Sequence, residues 1–135
     1  MSIVSANAVY AQQTQAERWL FVFDLSSQMK QDLPATKAAI DQMLGTSVDG
    51  QLHEGDSVGI WTYDQQLHAG QVPLFEWHPA RAATISSNLV VYLHRQRYRG
   101  NSSLAAMQSF LPQVIAHSER LTTVIFCDGQ SQLQG

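Results

Sequence analysis

One stretch of the sequence decides the fold class: Trp19-Leu20-Phe21-Val22-Phe23-Asp24-Leu25-Ser26-Ser27-Gln28-Met29. Residues 19–23 are an unbroken apolar run, which is typical of a strand covered on both faces of a parallel sheet. An Asp and two Ser residues follow directly at the carboxyl end of this predicted strand. In open α/β sheets, ligands bind just beyond the carboxyl ends of the strands. The stretch therefore predicts both a central strand and a binding site at its end.

The composition indicates one globular domain and excludes several classes of protein. A chain of 135 residues is long enough to bury a core without disulfides or a structural metal. Charged residues make up 14%, and the net charge of −3 argues against a nucleic-acid partner. The single Cys127 cannot form an internal disulfide, and no Cys/His spacing suggests zinc. No apolar run approaches the roughly 18 residues that a membrane-spanning helix needs.

The N-terminal residues resemble the end of a secretory signal peptide. Small residues dominate the stretch 5–11, although a basic segment is missing and the apolar part is short. We therefore predict that residues 1–17 are an arm or a signal-peptide remnant and that residues 18–135 form the domain. This pattern favours a bacterial-type exported protein, periplasmic or secreted, over a cytoplasmic one.

Hydrophobic periodicity predicts the remaining elements of the domain. A helix is expected over residues 33–44, where apolar residues and Thr36 share one face, and Pro34 suits its first turn. A strand is expected over residues 57–63, followed by a turn at residues 64–66 and a hairpin that runs from residues 67–69 to an antiparallel edge strand near Pro73. A second helix follows Pro79, a third begins near Ser102, and a last apolar strand covers residues 121–127.

This order of elements predicts an α/β fold that is Rossmann-like and doubly wound. Its central sheet would be mostly parallel, with helices on both faces. The last predicted strand has the apolar character of an internal strand, yet the chain ends six residues after Gly129. The sheet would then be truncated after its fourth strand, and the bare edge would favour self-association or require a missing C-terminal part.

Three predicted loops bring oxygen-bearing side chains to one rim of this sheet. Hydroxyls and carboxylates of this kind suit a hard divalent cation such as Mg²⁺ or Mn²⁺, which takes oxygen ligands. An incomplete protein shell would leave one position open for a carboxylate of a partner protein. The candidate metal ligands are Asp24, Ser26, Gln28, Ser102 and Asp128.

The same loops resemble the von Willebrand factor A (vWA) domain family. The family's Asp-x-Ser-x-Ser signature stands here as Asp24-Leu25-Ser26-Ser27-Gln28, followed by Met29. Gly55-Asp56-Ser57-Val58-Gly59-Ile60 is similar to the Gly-Asp-x-Val-Gly start of the family's second strand, and Arg99-Gly100-Asn101-Ser102-Ser103-Leu104 to its Gly-Gly-Thr loop. Val124-Ile125-Phe126-Cys127-Asp128-Gly129 resembles the Asp-Gly ending of its fourth strand.

The resemblance implies a protein-binding module with a metal-ion-dependent adhesion site. Ser26 and Ser102 would be direct ligands of Mg²⁺ or Mn²⁺, and Asp24 and Asp128 would act through water. An acidic side chain of the partner would complete the shell. Gln28 stands where the family has its second Ser, so the site is a degenerate one.

Other interpretations of the same residues remain open. The Ser side chains could cap helix N-termini, and Asp24 and Asp128 could cap helices or close turns. A metal-free scaffold would then bind its partner through helices or loops. A hydrolase or phosphotransferase based on Ser and Asp is the alternative class, but the Gly-x-Ser-x-Gly elbow and a Gly-rich phosphate loop are missing. We therefore predict that the chain is not an enzyme.

Overall fold

One mixed sheet forms the centre of the computed structural model, which describes residues 2–9, 17–103, 105, 109, 112 and 120–127. Its sheet order is β1-β6-β2-β3-β4, and β5 also pairs with β3. The strands are β1 (Ser2–Val9), β2 (Arg18–Asp24), β3 (Ser57–Tyr63), β4 (Leu67–His68), β5 (Phe75–Glu76) and β6 (Arg120–Cys127).

The three strands in the middle of the sheet are parallel, as the apolar runs predict. β2 pairs with β3 on one side and with β6 on the other, and both pairings are parallel. β1, β4 and β5 are antiparallel to their neighbours. The α/β sheet with a parallel centre is therefore confirmed, and the predicted hairpin after β3 corresponds to β4 and β5.

Strand β1 gives the N-terminal residues a place in the sheet that we did not expect. Residues 2–9 pair with β6 along its whole length, from Ser2 opposite Cys127 to Val9 opposite Arg120. The edge of β6 that we predicted to be bare is therefore paired, and that prediction is wrong, whereas the N-terminal arm stays a prediction. Ladder hydrogen bonds come from the backbone, so this stretch can pair although its apolar and polar residues do not alternate regularly enough to mark it as a strand. The signal-peptide interpretation and the domain boundary stay predictions.

Three helices are described, and two of them were predicted. They are α1 (Ser27–Gln31), α2 (Leu33–Gly45) and α3 (Ala82–His94), which a 3-10 turn at Pro79–Arg81 precedes. Thr36 is buried on the inner face of α2, as its position in the helical pattern indicated. The predicted third helix, which would begin near Ser102, falls largely outside the described residues. No described helix is long and apolar enough to cross a membrane.

The two faces of the sheet carry two separate apolar clusters. Every described helix contributes to the first cluster, which includes Met29 of α1, Ile40 of α2 and Leu89 of α3. The second cluster consists of Leu20, Val22, Tyr63, Leu121, Ile125 and Cys127, with Trp61 and Leu67 packed against it. No described helix contributes to the second cluster, so helices on both faces stay a prediction.

The buried carboxylate of Asp56 joins the start of β2 to the turn before β3. Its Oδ1 accepts a hydrogen bond from the Glu17 amide at 3.0 Å. Its Oδ2 accepts from the His53 amide at 2.8 Å and from the indole Nε1 of Trp19 at 3.2 Å. Asp56 is only 2% exposed, and a charge so deeply buried is tolerated only when it is hydrogen-bonded. The Gly-Asp motif therefore sets the register at which β2 and β3 begin.

Candidate functional site

Asp24 and Ser26 lie at the carboxyl end of β2, as the sequence predicts. Asp24 is the last residue of β2 and lies opposite Tyr63, the last residue of the parallel strand β3. Its Oδ1 accepts a hydrogen bond from the Ser26 amide at 2.8 Å. Asp24 is 1% exposed and Ser26 2%, so both are held inside the loop that begins α1. Ser26 is the residue before α1, but its side chain makes no capping hydrogen bond.

The loop that carries Ser102 is hydrogen-bonded to the loop after β2. The Arg99 amide donates to the Leu25 carbonyl at 3.1 Å, and the Ser27 amide donates to the Gly100 carbonyl at 3.0 Å. These two bonds run in opposite directions between the loops and fix them side by side. The structure therefore brings together two of the three loops that the sequence analysis placed at this rim.

A third loop, directly after β3, joins them. The Ser103 amide donates to the Asp64 carbonyl at 2.7 Å, and the Leu25 amide donates to the Tyr63 carbonyl at 2.9 Å. The Gln65 side chain also donates to the Asn101 carbonyl. We call residues 24–28, 63–66 and 99–103 the rim. Backbone hydrogen bonds connect all three of its segments, so its side chains are held on a common frame.

Ser102 carries an unsatisfied polar atom of the rim. Its Oγ is buried and has no hydrogen-bond partner among the described residues. A buried hydroxyl without a partner costs roughly 1–3 kcal/mol, and such groups in folded proteins call for an explanation. A ligand, an ion or a water at this point would satisfy it.

Gln28 does not join Asp24 and Ser26. It is exposed on α1, and its Nε2 lies 3.5 Å from Oδ1 of Asp32, one turn further along the chain. Asp128 lies outside the described residues. Within the described ranges, no group of three or more His, Cys, Asp and Glu residues could hold a metal ion. The buried hydroxyls of Ser26 and Ser102 suit a divalent cation, whereas Gln28 in this conformation does not supply a ligand.

The structure adds Asp64 and His68, which the sequence analysis assigned to a turn and to a hairpin strand. Oδ1 of Asp64 accepts a hydrogen bond from the Gln66 amide at 2.8 Å and lies 3.1 Å from Nε2 of His68. Burial raises the pKa of Asp64, but the bonds to Gln66 and His68 and the charge of His68 outweigh it and hold the pKa below 3.8. The rule that found Asp24 applies here too, because Asp64 directly follows the neighbouring strand.

Tyr98 lies close enough to Asp24 to sense its charge. Its hydroxyl donates to the Leu93 carbonyl at 2.7 Å. Burial, together with the smaller effects of the negative charges of Tyr92 and Asp24, raises the pKa of Tyr98 to about 12. Basic residues stand on either side of Tyr98, and the sequence pattern there does not indicate that Tyr98 lies near Asp24. A neutral phenol therefore lies near the buried carboxylate at neutral pH.

Comparison with known proteins gives only distant structural similarity. No protein-family model matches the chain, and no curated protein does. Among solved structures, the chain is similar to the human COPII-coat protein Sec24c, with a TM-score of 0.48 and 12% sequence identity. The similarity covers 84% of this chain and 19% of that chain, so the chain spans about a fifth of the Sec24c length. A similarity of this size defines neither a family nor a function.

Proposed function

We propose that this chain is a protein-binding module with a vWA-like, doubly wound α/β fold, and that it engages its partner through the rim. The rim lies where ligands bind in open α/β sheets, beyond the carboxyl ends of parallel strands. The observation that carries the proposal is the buried Oγ of Ser102, which lacks a partner among the described residues. A binding surface is the simplest reason to keep such a group unsatisfied in the free protein.

In the first form of the proposal, Mg²⁺ or Mn²⁺ is part of the contact. Ser26 and Ser102 would hold the ion directly, and Asp24 and Asp128 would hold it through water. The cation would supply positive charge to an acidic side chain of the partner. The chain's own contribution would be to hold the hydroxyls of Ser26 and Ser102 in fixed positions, because hydrogen bonds join the two loops that carry them.

In the second form, the rim binds its partner without a metal. Gln28 is exposed and lies within hydrogen-bonding distance of Asp32, which favours this form because a ligand position of the family motif is then empty. The Ser102 hydroxyl would donate directly to an acceptor of the partner, and exposed side chains such as Gln28 and Gln65 would surround that bond.

Thermal unfolding with Mg²⁺, Mn²⁺ and chelator separates the two forms. An ion at a hundred times its dissociation constant adds roughly 2.7 kcal/mol to the free energy of unfolding if it binds only the folded state. We expect this gain in the wild-type chain and its loss in Asp24→Ala and Ser102→Ala. Ser102→Ala removes an unsatisfied hydroxyl, so without metal it should be at least as stable as the wild type. Ser87→Ala, at an exposed Ser on α3, is the matched control.

No shift with either ion on the folded wild-type chain would refute the metal-dependent form. The rim itself is tested with Ser102→Arg, which would block the surface. Crosslinking to partner proteins is compared between this variant and Ser87→Arg. Partner proteins should be lost with Ser102→Arg alone. If the crosslinked proteins are the same for both variants, the rim is not the binding surface.

An enzyme remains the alternative class. A hydrolase or phosphotransferase built on Ser and Asp would need a general base within hydrogen-bond reach of its nucleophile. Binding needs only the fixed oxygens and donors that the rim provides. A protein partner is also more consistent with the net charge of −3 than a nucleic acid is. Export of the protein stays a prediction.

A further inference from the structure

A cavity lies between α3 and the segment that contains β5, and it shares no residue with the rim. Its volume is about 730 Å³, within the range of about 300–1,000 Å³ that is common for ligand sites. Ile60, Phe75 and Leu89 form its floor, Thr84 and Asn88 line the wall made by α3, and Arg81 lies at one end. We call this cavity the α3 groove.

The floor of the α3 groove is apolar and fixed to the core. Ile60 and Leu89 are buried members of the first apolar cluster, and Phe75 is packed against that cluster while remaining partly exposed. Ile85 of α3, also partly exposed, extends the floor along the helix. A ligand that covers these side chains gains about 25 cal/mol for each Å² of apolar surface that it removes from water.

The polar side chains of the wall have the spacing of an extended peptide. Thr84 and Asn88 are four residues apart on α3, so their backbone positions differ by about 6 Å along the helix axis. Every second residue of an extended chain repeats after about 6.6 Å. Thr84 and Asn88 can therefore meet equivalent backbone groups of alternate peptide residues. The helix from Arg81 to Tyr92 is about 16 Å long, which corresponds to about five extended residues.

The end of the α3 groove at Arg81 favours an anion. Arg81 is exposed and forms no ion pair within the part of the chain that the structure describes. Glu76 also lines the α3 groove, but its carboxylate lies 3.6 Å from Nε2 of His78, whose Nδ1 lies 3.2 Å from Glu54. Arg81 also directly precedes α3, whose first turn carries no acidic residue, so the positive end of the helix dipole adds to its charge.

We propose that the α3 groove binds an extended peptide of about five residues, in which alternate side chains are apolar and a carboxylate at one end meets Arg81. The apolar side chains would rest on Ile60, Phe75 and Leu89, and the peptide backbone would bond to Thr84 and Asn88. This contact is independent of the rim and of any metal.

Selection from random heptapeptides displayed on phage tests the proposal without a known ligand. On immobilised wild-type protein we expect enrichment of peptides with alternating apolar residues and an acidic residue at one end. On Arg81→Glu the acidic residue should be replaced by Lys or Arg. Both proteins are first shown to be folded by circular dichroism, since Arg81 is exposed and its replacement should leave the core intact.

Fluorescence polarisation with one selected peptide then tests the wall. Thr84→Ala combined with Asn88→Ala should weaken binding about tenfold, as expected for the loss of two hydrogen bonds. Ser87→Ala, on the same helix but outside the groove, should bind as the wild type does. Asp24→Ala and Ser102→Ala should also bind normally, which distinguishes failure of this proposal from failure of the rim.

Three results would overturn the proposal. The first is that no peptide is enriched on the folded wild-type protein. The second is that the selected peptide binds Arg81→Glu or the Thr84/Asn88 double variant as tightly as the wild type. The third is saturation of the groove by octanoate without any peptide selection, which would make it a site for small amphiphiles.

Discussion

Replacing Asp56 with Ala removes one carboxylate that accepts three hydrogen bonds from two segments of the chain. The donors are the Glu17 amide, the His53 amide and the indole Nε1 of Trp19. The backbone bonds of residue 56, which include Trp77 N–H to its carbonyl at 2.7 Å, do not depend on the side chain and should persist. The substitution therefore tests the side-chain contacts alone.

The expected loss follows from how deeply each donor is buried. Trp19 is 1% exposed, so water cannot replace the acceptor of its indole N–H, and the orphaned donor costs about 1–3 kcal/mol. The amides of Glu17 and His53 belong to residues nearer the surface and can turn to water, so each loses only about 0.5–1.5 kcal/mol. Removing a buried charge returns part of this total. We expect Asp56→Ala to lower the free energy of unfolding by about 3 kcal/mol.

Urea unfolding followed by tryptophan fluorescence measures this loss, which should move the midpoint by at least about 1 M. Asp56→Asn keeps one acceptor oxygen and should lose about half as much. In a double-mutant cycle, Asp56→Ala should cost at least 1 kcal/mol less when Trp19 is already Phe. The reasoning is refuted if Asp56→Ala costs under about 1 kcal/mol, or if the two substitutions are additive.

Three further outcomes follow from the described contacts. Asp64 has a folded pKa below 3.8, so its contribution to stability is present above that pH and is lost as the pH falls through the folded value; the stability difference between wild type and Asp64→Asn should shrink in acid, and a constant difference would contradict this. Tyr98 has a folded pKa of about 12 against 10.0, so stability from this group is full below pH 10 and falls as the pH rises towards 12. In a spectrophotometric titration, Asp24→Asn should lower the pKa of Tyr98 towards 10. An unchanged curve would show that the charge of Asp24 does not affect Tyr98. Ile3 is 44% exposed on β1, an edge strand without charged residues. Ile3→Lys should therefore reduce self-association, measured as the concentration dependence of sedimentation. Equal self-association in the wild type and the variant would place the contact elsewhere.

The sequence predicts those elements whose residues have a strong local hydrophobic pattern. The unbroken apolar run of β2 and the helical pattern of α2 and α3 are properties of a few consecutive residues, and burial enforces them. β1 is missed because its partner is β6, which is more than a hundred residues away. A local pattern carries no information about such a partner.

The sequence predicts where the candidate site lies but not which residues form it. Chain order alone places Asp24 at the end of a central strand, and the loop with Ser102 is held beside it by backbone hydrogen bonds that no side-chain pattern encodes. Gln28 occupies a motif position, yet its long side chain extends to solvent near Asp32. Asp64 belongs to the site because β3 pairs beside β2, and the sequence pattern predicts only a turn at this position.

The position of β1 has a consequence for synthesis on the ribosome. Its only described neighbour in the sheet is β6, so it has no partner until residues 120–127 have emerged. At about 5–20 residues per second, that delay is roughly 5 to 25 seconds after β1 has been translated. Once residues 57–63 have emerged, β2 can pair with β3 but not yet with β6, and one edge of this apolar strand stays unpaired and open to chaperones. Strand β1 is therefore made before β2, β3, β4 and β5, and it joins the sheet only after β6 has been made.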